Sequence, residues 1–256
     1  MNVRITAWVL FITLLIMGVS IVSTQAQTTY SIKTEGVLWP DPRIQINIPS
    51  SPTVLADDLP QAMTIWNQAI KWFESTYYPT DENYYSLIVS TNGAGTTFQA
   101  VSSQTVQSYC STSSNISVCT VYEINPESKY ITNSYVEVLA SELTTSNPNH
   151  LSLVVAALGS LIGLVQYPEP CPFQDLMCAT LSTVNPSTLD LYAARTLAKG
   201  NPDTTVTLPA SIPYQQAPII PVPEFQGTFA LMACMTIFSI LLLVRSSKPK
   251  FPRKHG

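Results

Sequence analysis

Few side chains in this 256-residue chain are equipped for chemistry. It holds two histidines, His150 and His255. A Ser or Cys nucleophile needs an adjacent base, most often His, oriented by a third group. His255 lies in a basic tail, so one histidine would have to serve the whole body of the chain. With that histidine expected in a surface or capping role and the cysteines expected to be paired, no Ser-His-Asp or Cys-His set is expected. His150 opens an apolar helical stretch, where a surface or capping role is expected. Glu169, Asp175 and Asp190 are the carboxylates left for acid–base work. Asp190 falls in a helical stretch and is expected to be a structural hydrogen-bond partner for the turn before it.

The cysteines read as structural. Cys110, Cys119, Cys171 and Cys178 belong to the central region, and Cys234 to an apolar C-terminal run. Neither close pair has the C-x-x-C spacing of a zinc site. In an exported domain four such cysteines form two disulfides, with three connectivities open. Cys110–Cys119 and Cys171–Cys178 are favoured because each closes a short loop. Asn115-Ile116-Ser117 is a glycosylation sequon between the first two.

The ends place the chain at a membrane. Residues 1–26 read as a signal peptide: Arg4, the apolar run Ala7 to Val22, then Ser23-Thr24-Gln25-Ala26 as cleavage site. The same length also suits an uncleaved anchor. Residues 227–244 are uncharged and just long enough to cross a bilayer. The tail 245–256 follows with Arg245, Lys248, Lys250, Arg253 and Lys254, which keep it cytoplasmic and turn the preceding domain outward. The expected localisation is the cell membrane, single-pass, ectodomain outside. Residues 200–226, with Pro202, Pro209, Pro213, Pro218, Pro221 and Pro223, read as a stiff spacer. Val222-Pro223-Glu224-Phe225 before the span resembles the C-terminal sorting signals of archaeal surface proteins. With a net charge of −4 and no Lys/Arg cluster in the ectodomain, nucleic acid is excluded as a partner.

What remains, residues 27–199, is one domain with a sizeable core. Arg43 to Ile48 alternates polar and apolar, the mark of a half-buried strand. A helix follows, with Asp57 or Asp58 as cap, Pro60 in its first turn, and Ala62, Ile65, Trp66, Ala69, Trp72 and Phe73 on its apolar face. Tyr84 to Ser90, Phe98 to Val101, Ile116 to Ile124 and Tyr130 to Leu139 are strand candidates. Leu151 to Val165 is apolar on nearly every side and reads as a central core helix, capped by Asn147 with Pro148 at its first position. Ser187 caps a last helix, Thr188 to Leu197.

This order resembles the metzincin fold of zinc peptidases, its matrixin-like branch in particular. The resemblance rests on Ile65-Trp66-Asn67 in the first helix, on Gly159 and Gly163 in the central one, and on Asp175-Leu176-Met177-Cys178 followed by Ser187-Thr188-Leu189-Asp190. It implies an α+β domain: a twisted, mostly parallel sheet, two long helices, a Met-turn-like loop at Met177 and a C-terminal helix. Ala156 to Gln166 then has the spacing of the zinc helix H-E-x-x-H-x-x-G-x-x-H. The ligand slots hold Ala156, Ser160 and Gln166, and the general-base slot holds Ala157.

Zinc hydrolysis needs three protein ligands, an open position for water and a carboxylate base. Alanine has no donor atom, and Ala157 cannot accept a proton. Zinc is expected of the family, but no cofactor of this chain. The expected function is a membrane-anchored pseudopeptidase that binds a protein or peptide partner in the former substrate groove. The alternatives are a divergent metalloendopeptidase with a rearranged site and an unrelated structural surface protein.

Overall fold

The computed structural model of the protein describes residues 29–81, 84–91, 93, 95–102, 117–167, 175–178 and 183–218. The expected signal 1–26, membrane segment 227–244 and tail 245–256 lie outside them, as do Cys110, Asn115, Glu169 and Cys171. Among the described residues no helix is long and apolar enough to cross a membrane.

The elements run β1 (Ser31–Lys33), β2 (Arg43–Asn47), α1 (Thr53–Tyr77), β3 (Ser86–Val89), β4 (Thr96–Val101), β5 (Val118–Ile124), β6 (Ile131–Leu139), α2 (His150–Ile162), α3 (Thr188–Ala198) and β7 (Thr205–Thr207). This is a mixed α+β architecture. Five strands form one sheet in the order β3-β2-β4-β6-β5, and β1 pairs with β7 in a small second sheet. Among the described strands of the large sheet, β5 alone runs antiparallel, against β6. Ile44 and Ile46 of β2 and Phe98 of β4 are buried, while Arg43, Gln45, Thr97 and Gln99 between them are exposed. The period of two thus turns one apolar face into the core.

α1 buries Leu55, Leu59, Ala62, Met63, Trp66, Ala69, Ile70 and Phe73, a stripe at helical spacing. It begins earlier than the capping signal implies. Its N-cap is Pro52 and makes no side-chain cap bond, and Pro60 lies inside the helix. Asp58 is not a cap: its buried carboxylate meets His150 Nδ1 at 2.5 Å. His150 therefore ties the start of α2 to α1. The expected cap of α2 also moves. Asn149 holds that position without a side-chain bond. Asn147 instead closes the preceding turn, accepting from Asn149 N–H and donating to Glu142. Ser187 does cap α3, in a reciprocal capping box with Asp190.

The spacer reading of 200–226 fails over its first half. β7 pairs with β1 from Thr205 to Thr207. Leu208, Ile212 and Ala217 join the core, and Tyr214 stacks on Tyr30. Thr188 N–H donates to Gln215, and Ala217 N–H to Pro186, so the segment lies along the start of α3. The prolines set a rigid path that docks these apolar side chains on the domain.

Candidate functional site

α2 carries the residues on which any chemistry of the central helix would depend. Every residue from Ser152 to Gly159 is buried, and so are Leu161 and Ile162. Ala156 and Ser160 share one face, a turn apart. Ala156 and Ala157 are wholly enclosed, whereas Ser160 and Gln166 are half-exposed.

Gly163 ends the helix with φ 110°. That left-handed geometry suits glycine, and it closes a Schellman pair: Leu164 N–H to Gly159 and Gly163 N–H to Ser160, both 3.0 Å. The chain then turns back and is pinned on both sides. Val165 N–H donates to Lys33, and Tyr167 N–H to Met177 at 2.7 Å. Gln166 is held between these two bonds.

Met177 lies against α2. It is fully buried, and a Cβ added to Gly159 would fall 2.6 Å from its sulfur and 3.1 Å from the Trp66 ring. Gly159 is thus the gap through which α1, α2 and the Met177 turn meet. Trp66 Nε1 donates to Val155 across the helix pair at 2.8 Å. Its neighbour Asn67 matches both backbone groups of Leu87 in β3. The Trp-Asn dipeptide therefore joins one helix to another and to the sheet.

The last carbonyls of α2 would be orphaned without outside donors. Trp39 Nε1 reaches Leu161 at 3.0 Å, and the Tyr122 hydroxyl of β5 bonds the carbonyls of Ser160 and Leu161. Burial pushes the Tyr122 phenol well above its ordinary pKa, with the nearby Glu35 carboxyl adding to the rise. Glu35 is itself raised by burial, and its backbone N–H bonds Gly163 at 2.9 Å. Tyr122, Trp39 and Glu35 carry no local motif, and nothing in their sequence context marks them.

Below this, the turn at 175–178 and the start of α3 form a buried polar cluster. Asp175 Oδ1 accepts Met177 N–H at 2.9 Å. Its Oδ2 accepts from Ser187 Oγ at 2.8 Å and from the Tyr214 hydroxyl at 3.1 Å. Asp190 Oδ2 accepts Ser187 N–H at 2.9 Å. Asp175, Ser187 and Asp190 are all fully enclosed. They cannot touch a substrate without unfolding of the turn, which supports the structural role read for Asp190. Burial, then the Asp175 charge, raises Asp190 well above the carboxylate range. The same causes raise Tyr167 and Tyr214.

These residues do not fit a zinc ion. The enclosed Ala156 and Ala157 bring no lone pair to the slots, and His150 is turned to Asp58 at the other end of α2. Among the described residues no group of three or more His, Cys, Asp or Glu is placed to hold a metal. Cys119 and Cys178 are each disulfide-bonded, and the partners expected for them, Cys110 and Cys171, lie outside the described residues. No protein-family model matches the chain, and no curated protein matches it significantly.

Proposed function

We propose that this chain is a membrane-anchored surface domain of metzincin-like fold, without the zinc site, that works by binding a protein or peptide. The observation that carries the reading is the contact of Met177 with Gly159, in the turn of helix between Ala156 and Ser160. A turn held by its own Asp carboxylate, a left-handed glycine ending the helix above it, and a sheet with a single antiparallel strand all support the same descent. Without a general base or ligands on α2, the geometry supports recognition rather than hydrolysis.

The binding region we assign runs past the half-exposed Ser160 and Gln166 and along β5. In the described sheet β5 has one neighbour, β6, so its outer edge offers backbone donors and acceptors to an extended segment. The signal-to-anchor layout expected from the sequence supports a position outside the cell for this region.

The test uses the full-length protein. After exhaustive dialysis, metal analysis should find no stoichiometric zinc, and peptide libraries should be left uncut. Bound peptides should be displaced when Ser160 is replaced by Trp. Stoichiometric zinc with chelator-sensitive cleavage would overturn the reading in favour of a divergent metalloendopeptidase.

A further inference from the structure

The Met177 turn is fastened to α3 through two enclosed carboxyl groups, and their chemistry is independent of what the domain binds. From Leu151 to Ala194 the sequence contains Glu169, Asp175 and Asp190 but no Lys, Arg or His. Among the described residues, the ion-paired Lys and Arg side chains are committed elsewhere: Arg43 to Asp41, Arg195 to Glu74 and Asp81, Lys199 to Asp81; the His150 ring is bonded to Asp58. The groups that face the pair are the Met177 N–H, the Ser187 N–H and hydroxyl, the Tyr214 hydroxyl and, from the returning strand, the Tyr167 phenol. None is a cation. Two ionised carboxylates enclosed together without a counter-charge are strongly disfavoured, and such a site resolves the cost by keeping a proton.

The donors are shared unequally. Asp175 takes three: Met177 N–H, the Ser187 hydroxyl and the Tyr214 hydroxyl. Asp190 Oδ2 takes the Ser187 N–H and lies 3.1 Å from the same Ser187 hydroxyl, whose one hydrogen is better placed toward Asp175 at 2.8 Å. Asp190 Oδ1 is buried with no donor at all. We propose that Asp175 and Asp190 share one proton, held on Asp190, the carboxyl with fewer donors, and that this proton locks the Met177 turn to the start of α3.

The lock has a defined pH sense. A carboxyl held protonated in the fold stabilises it fully in acid, and that contribution is lost as pH rises through the folded-state value. The lock is therefore closed in acid and strained in alkali. Asparagine at 190 can donate permanently where the acid donates only when protonated. Asparagine at 175 would set an N–H among three donors.

Thermal unfolding of the full-length protein across pH tests this. The wild-type midpoint should fall as the medium turns alkaline. Asp190→Asn should flatten that fall and keep the acid midpoint, whereas Asp175→Asn should lower the midpoint at every pH. Infrared difference spectra with isotope-labelled Asp should show one protonated carboxyl per molecule at neutral pH in the wild type, which keeps the proposal open to refutation if a variant fails to fold. Equal pH slopes in wild type and Asp190→Asn, or no protonated Asp, would overturn it. So would a midpoint that rises with added Ca²⁺ or Na⁺ only while Asp190 is present, since a cation would then fill the pair.

Discussion

The two ends of α3 bury acids by opposite means. At its C-terminal end Arg195 extends to Glu74 of α1 and to Asp81, with Lys199 also on Asp81 and the Tyr78 ring 3.7 Å from the guanidinium. At its N-terminal end Asp190 and Asp175 meet with hydroxyls and backbone N–H groups and, among the described residues, no cation. One end is an ion-pair clamp, the other a network of hydrogen bonds with too few donors for two charges. The difference teaches that enclosing a carboxyl does not fix its charge state. A guanidinium in contact favours the anion, whereas a second carboxyl in contact favours the acid.

The largest way to break the comparison is to remove the cation. Arg195→Met should leave Glu74 enclosed without its guanidinium and remove one of the two cations on Asp81. Breaking a buried pair in this way costs roughly 3–5 kcal/mol. Glu74 is pushed up to about 7, chiefly by burial and also by Asp81, against the pull of Arg195 and Lys199. Its unfolded value is near 4.3. Because the folded value is the higher one, the contribution of Glu74 is complete below about pH 4 and is lost as pH rises through about 7. The Arg195→Met deficit, read by chemical denaturation, should accordingly be larger at pH 8 than at pH 5. Equal deficits would mean that Glu74 stays ionised throughout, with the guanidinium outweighing burial, and the contrast between the ends would be sharper still.

At the other end the contrast sharpens through a pair of amides. Asp175→Asn puts an N–H where three donors already converge and should cost about 1–3 kcal/mol. Asp190→Asn should cost less, because its carboxyl lacks donors rather than acceptors. Equilibrium unfolding in mild acid, where the wild-type pair keeps its proton, is the fair comparison. A larger loss for Asp190→Asn would move the proton to Asp175.

Gly159→Ala probes the contact between α2 and the turn that this network holds. Its methyl would crowd the Met177 sulfur and the Trp66 ring. Overpacking of this kind costs about 1–3 kcal/mol. Met177→Ala should absorb much of the penalty, so the double variant should be less destabilised than the sum of the two. Strict additivity would mean that Met177 does not press on the helix there.

How much of this was legible in the sequence follows the range of the forces. Alternation located β2, β-branched and aromatic content located β3 to β6, an apolar stripe located α1 and α3, and all-round apolarity located α2, because each of these signals is local. The Ser187–Asp190 box was legible for the same reason: donor and acceptor are three residues apart. Caps failed where a polar residue had a distant alternative, as Asp58 has in His150. β1 and β7 are three residues each and pair across most of the chain, too short for a period to form. The prolines of 200–217 hid Leu208, Ile212 and Ala217, whose irregular spacing fits a docked strand-and-turn path rather than a helix or a long strand. At the site, Ala156, Ala157, Ser160 and Gln166 were found by spacing. Tyr122, Trp39 and Glu35 reach α2 only through tertiary contacts.

Those long-range contacts define the smallest expected effect. The end of α2 is held without charge, by Tyr122 and Trp39 on the carbonyls of its last turn. Tyr122→Phe keeps the ring and removes one hydroxyl from two acceptors. A neutral hydrogen bond of this kind is worth about 0.5–1.5 kcal/mol net. The Ser160 carbonyl keeps the Gly163 N–H and the Leu161 carbonyl keeps Trp39, so neither acceptor is left bare. The loss should therefore fall at the lower end of that range and show no pH slope in acid or at neutrality, in contrast to both ends of α3. Hydrogen exchange should locate the change in the Gly163 and Leu164 amides, which close the helix beside it. A loss as large as that of Arg195→Met would mean that α2, for all its apolar enclosure, depends on this one phenol to hold its C-terminal turn.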